Sequence, residues 1–93
     1  MPIKIDRDGG TWVAFRDERW TFGDRRAVFE SATDWDALGI VLGYVEDWNL
    51  KDVDGNPVRA KDSDGRPVPV LALANLDDDD ARWLVRAWFQ AKA

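Results

Sequence analysis

From Asn75 onward the chain is written as one amphipathic helix, and no other segment limits the fold as much. Asn75 and the acids Asp77, Asp78, Asp79 and Asp80 suit a helix start, where a capping side chain takes an unsatisfied N–H and negative charge meets the positive end of the dipole. Ala81, Leu84, Val85, Trp88 and Lys92 then recur at helical spacing, with Phe89 and Ala91 beside them. Arg82, Arg86 and Gln90 take the far side. Such a stripe has to be buried against other parts of the chain. Trp83 lies about half a turn from its centre and is the one large apolar residue that the pattern leaves outside. With Arg82 and Arg86 it forms the candidate partner-binding group, because Trp is enriched at the energetic centres of interfaces. The competing reading covers Trp83 with the N-terminal hairpin or the long loop.

The remaining segments read as partners for that helix. Ile3 and Ile5 alternate with polar residues, Asp8-Gly9-Gly10 is a turn signal, and Thr11 to Arg16 suits a pleated surface, so strands near 3–6 and 11–16 form a hairpin. Asp17-Glu18-Arg19 makes a charged corner. Thr21-Phe22-Gly23-Asp24 is a partial capping box, with Asp where Glu or Gln is usual, and opens a helix over 22–32. Thr33-Asp34-Trp35-Asp36 repeats the signal and starts a second helix reaching to about 46. Leu38, Val41, Leu42 and Val45 line one face of it, with Trp35 beside Leu42, which makes it the most buried element expected. Gly39 and Gly43 on its flank imply a close neighbour, since each costs about 1 kcal/mol in a helix interior. Trp12, Trp35, Trp48 and Trp88 are assigned to the core.

Between the helical parts lies the only internal repeat. Lys51-Asp52-Val53-Asp54-Gly55-Asn56-Pro57-Val58 returns ten residues later as Lys61-Asp62-Ser63-Asp64-Gly65-Arg66-Pro67-Val68. Asp-Gly and the following Pro are turn chemistry, and the second unit reads as an inserted copy that lengthens an exposed loop. A calcium loop would need Gly at its sixth position and a bidentate acid at its twelfth; counted from Asp52 these are Pro57 and Ser63. The expected architecture is a single α+β domain over 1–93: a β-hairpin arm at 1–20, two short adjoining helices at 21–46, a strand with a turn-rich loop at 47–74, and the C-terminal helix at 75–93.

Composition narrows the function. With no Cys and no His, the chain lacks disulfides, thiol nucleophiles, thiolate or imidazole metal sites and Ser-His-Asp chemistry. No Gly-rich phosphate loop occurs, and 18 acids against 13 bases disfavour a sequence-independent grip on nucleic acid. The four acids from Asp77 point around a helix rather than converge on a metal. Catalytic, cofactor and metal residues are therefore expected to be none. The longest apolar stretch, Leu38 to Val45, is too short for a membrane span and no signal-peptide core opens the chain, so a cytoplasmic protein is expected.

The order of features resembles a known family. Gly10-Thr11-Trp12-Val13-Ala14-Phe15-Arg16-Asp17 leads to Thr21-Phe22-Gly23-Asp24-Arg25-Arg26, then to Trp48-Asn49-Leu50-Lys51-Asp52-Val53-Asp54-Gly55-Asn56-Pro57 and a terminal helix. This is similar to the small tail assembly chaperones of long-tailed phages of actinobacteria, in which a Trp-x-Leu-x-Asp-x-(Asp)-Gly-x-Pro segment separates two helical parts. The second Asp-Gly-x-Pro unit departs from that pattern. The resemblance implies a protein of the host cytoplasm that binds the tape measure protein and keeps it soluble while the tail tube polymerises. It also implies self-association and no catalytic residues. The alternatives are a structural virion component, such as a connector or minor tail subunit, and a small acidic phage inhibitor of a host enzyme. The arginines interspersed among the acids count against the inhibitor.

Overall fold

A computed structural model of the chain describes residues 2–17 and 20–92, so the corner expected at Glu18 and Arg19 lies outside the described residues. The fold is α+β, with three antiparallel strands and three α-helices. Strand β1 (Ile3–Asp6) pairs with β2 (Trp12–Phe15) in the register Ile3↔Phe15 to Asp6↔Trp12. The turn between them places Gly9 and Gly10 at φ 89° and 85°, a region that L side chains rarely adopt. Strand β3 (Val45–Trp48) pairs on the other side of β2, which is therefore central. Ala14 faces Asp47 while the next residue, Phe15, faces Val45, leaving Glu46 as the extra residue of a bulge. The bulge resets the alternation, so Val45 and Trp48 both reach the core although three positions separate them.

Helix α1 (Phe22–Phe29) and helix α2 (Asp34–Val41) each start on a threonine: Thr21 Oγ1 accepts from Asp24 N–H at 3.0 Å, and Thr33 Oγ1 from Asp36 N–H at 3.2 Å. Both helices are shorter than the spacing suggests. α2 tightens into a 3-10 turn at Leu42–Tyr44 and yields to β3 at Val45, because pairing with Phe15 uses the backbone groups that a continuing helix would need. No close approach explains its glycines: a Cβ on Gly39 would meet Val70 at an ordinary 3.7 Å, and one on Gly43 would meet nothing.

The repeat is a structural repeat as well. Asp52 Oδ1 accepts from the N–H groups of Asp54 and Asn56, both at 2.9 Å, and Asp62 Oδ1 accepts from those of Asp64 and Arg66 at 2.9 and 3.0 Å. Gly55 and Gly65 close the turns at φ 84° and 77°. Each unit is fastened at its base by the same bond, Val58 N–H to Leu50 O and Val68 N–H to Ala60 O. Corresponding positions meet the core in the same way. Leu50 and Ala60 are buried, and Val58 and Val68 are half-buried against it. The turn tips are exposed while Leu50, Ala60, Val58 and Val68 anchor the bases, so the segment is a pair of anchored turns rather than one long exposed loop. A second 3-10 turn (Val70–Leu73) then brings Leu73 into the core ahead of α3 (Asp78–Lys92).

Helix α3 packs on α2 and across β1 and β2. Asp77 caps it, its Oδ1 accepting from Asp79 N–H at 2.9 Å. The face actually buried runs through Trp83, Leu84, Ala87 and Trp88. Trp88 stacks on Trp20 with centroids 5.0 Å apart and planes 9° from parallel, and Tyr44 leans against both rings. No helix among the described residues is long and apolar enough to cross a membrane.

Candidate protein-binding surface

The group singled out from the sequence does not form an exposed anchor. Trp83 is only 7% exposed. The Arg7 guanidinium, at the end of β1, lies 5.4 Å from its ring centroid and is held there by an ion pair to Asp80, one turn earlier on α3. The hairpin thus covers Trp83, the competing reading. Ala87 carried the signal: one turn beyond Trp83 and beside Leu84, it widens the apolar stripe towards the tryptophan. Arg82 and Arg86 do stay exposed, Arg82 between Asp78 at 3.1 Å and Asp34 at 3.6 Å. Three of the four acids have structural partners: Asp77 caps the helix, and Asp78 and Asp80 make these ion pairs. Among the described residues no three acids are grouped so as to hold a metal ion.

Trp35, assigned to the core from its spacing, is 50% exposed. It borders a shallow apolar depression with Leu38, Val70 and Leu73, between Asp34 and Asp78, and Leu71 nearby is also exposed. The short α2 explains the displacement. With Tyr44 and Val45 outside the helix, the inward stripe is reduced to Ala37, Leu38 and Val41, and Trp35 falls at its edge.

The most exposed aromatic surface is on α1, which buries Val28 alone. Phe22 and Phe29 are 80% and 81% exposed, and Arg25 and Arg26 lie between them. Positions 22, 25, 26 and 29 stand at i, i+3, i+4 and i+7, one stripe of a helix, here directed at solvent. The two phenyl groups are two turns, about 10.5 Å, apart along the axis. With Phe89 of α3 they border an open depression of about 370 Å³. Arg26 has an internal partner in Glu30, 3.1 Å away, whereas Arg25 has no acid within ion-pair distance among the described residues. A reading focused on the buried side of α1 passes over this stripe, although its spacing is plain in the sequence.

What holds α1 in place is a tyrosine. Tyr44 Oη accepts from Thr21 N–H at 3.4 Å and donates to the Asp24 carboxylate. In a full capping box a Glu at this position reaches the N-cap N–H itself. Asp is one methylene shorter, and the Tyr44 hydroxyl fills the gap. Burial, with the bond to Asp24 behind it, raises the Tyr44 pKa above its usual value.

Against protein-family models, curated proteins and solved structures, the chain finds no match. The segment that carries the resemblance to tail assembly chaperones is spent on the fold. Trp48 Nε1 donates to Val58 O at 2.7 Å, and Leu50 is buried. Asn49 clamps the hairpin turn, accepting from Trp12 N–H and donating to Gly10 O, both at 2.8 Å.

Proposed function

We propose that this protein works by binding another protein rather than by catalysis, as an assembly chaperone for the tails of long-tailed phages. In that role it would hold the tape measure protein soluble in the host cytoplasm until tube subunits enclose it, and would associate with copies of itself. The observation that carries the binding part is the outward stripe of α1: two phenyl groups, each four-fifths exposed, on a helix that buries one residue. Exposed aromatic side chains grouped on one face are costly to keep in water without a use, and they suit the apolar side of an amphipathic segment. The net charge of −5 supports solubility in a protein that must keep such groups uncovered. The phage assignment is supported by the resemblance of Trp48 to Pro57 and the order of segments around it.

The test is co-expression with fragments of a phage tape measure protein, followed by size-exclusion chromatography with light scattering. A soluble complex, with fragments that precipitate when expressed alone, is the expected result. Fragments that aggregate regardless, beside a chaperone eluting as an inert monomer, would overturn the proposal.

A further inference from the structure

We infer that the α1 stripe accepts an amphipathic helix carrying an acidic residue between two apolar residues about two turns apart, and that the carboxylate pairs with Arg25. This rests on the protein-binding reading and specifies the chemistry of the partner. In a chain with 18 acids and 13 bases, α1 nonetheless places two guanidinium groups between its exposed phenyls. An occupant that covers Phe22 and Phe29 also removes water from the arginines. A desolvated guanidinium with no counter-charge is strongly unfavourable. Arg26 already has Glu30 at 3.1 Å, so the charge left to satisfy is that of Arg25. One carboxylate from the occupant does this, and a basic segment in the same place meets repulsion. An extended strand has no sheet edge to join here, because the surface is formed by the side chains of α1 with Phe89 of α3.

The probe is a synthetic helical peptide of about 18 residues, with two leucines seven positions apart and one Glu between them. Its partner peptide has Lys in place of that Glu. Fluorescence anisotropy with the full chain should show the Glu peptide binding about tenfold tighter or more. Phe22→Ser and Phe29→Ser should each weaken binding about tenfold, and Arg25→Glu should reverse the preference between the peptides. These side chains project into solvent, so unchanged melting temperatures verify that the variants fold.

Equal affinity for the two peptides overturns the inference, as does binding that survives the double Phe variant. So does a dimer of the protein alone that the Phe variants dissociate, which would give the face to a second copy. Adsorption to anionic phosphatidylserine vesicles, lost in the same variants, would give it to a membrane and overturns the inference too. Repeating the co-expression with the double Phe variant separates the two proposals. A complex that still forms leaves the chaperone reading standing and removes the α1 stripe from it.

Discussion

The Tyr44 hydroxyl is the most economical place to test how this fold is held. Tyr44→Phe keeps the ring against Trp20 and Trp88 and removes one oxygen. Thr21 N–H loses its acceptor and the Asp24 carboxylate loses its donor. A neutral hydrogen bond contributes a net of about 0.5–1.5 kcal/mol and one to a charged group about 1.5–3 kcal/mol. Thr21 is exposed and Asp24 half-buried, so water replaces part of what is lost, and the expected destabilisation is about 1–2 kcal/mol. In a domain of this size that lowers Tm by about 5–12 °C, measurable by circular dichroism and as an earlier urea midpoint at unchanged slope.

Two further results follow from the bridging geometry. Adding Asp24→Glu to Tyr44→Phe should recover much of the loss, because Glu reaches Thr21 N–H without an intermediary. The folded-state pKa of Tyr44 lies above its unfolded value near 10, so its contribution is complete below that pH. Above it the unfolded chain releases the proton first, and stability falls until the folded pKa is passed. The gap between wild type and Tyr44→Phe should therefore narrow above about pH 10. A Tyr44→Phe penalty as large in an Asp24→Ala background as in wild type would refute the bridge, since residues in one network do not act additively.

Other outcomes are equally direct. Trp83→Ala removes a buried indole from under Arg7 and should cost about 3–5 kcal/mol in chemical denaturation, while a partner anchor on the surface would cost folding almost nothing. Gly55→Ala and Gly65→Ala should each cost about 1–2 kcal/mol and by similar amounts, because both units set the glycine at the same positive φ. Markedly unequal losses in thermal melts would show that the second unit is not a structural copy of the first.

Local chemistry made much of this fold legible. The hairpin follows from alternation around a Gly-Gly turn, the threonine starts of α1 and α2 from capping, and α3 from its acids and apolar stripe, because each depends on residues close in sequence. The repeat at 51–68 was visible but its weight was not: the burial of Leu50 and Ala60 depends on what stands behind them. Helical spacing carries α2 too far because Val45 pairs with Phe15, thirty positions away, and pairing outweighs it. The candidate surface was half legible. Phe22, Arg25, Arg26 and Phe29 share a face by spacing alone, but spacing cannot say which face of α1 looks outward.

The sequence by itself thus determined the order of the main strands and helices and the turns of the hairpin and the repeat, since these depend on backbone preferences within a few residues. Only the tertiary structure decided which aromatic side chains are used up by the core. Trp83 is buried because the end of β1 carries Arg7 across it, and Phe22 and Phe29 are exposed because α1 turns Val28, on another face, into the core. Exposure belongs to pairs of surfaces, and a surface from Ile3–Asp6 covers α3 only after the chain has closed.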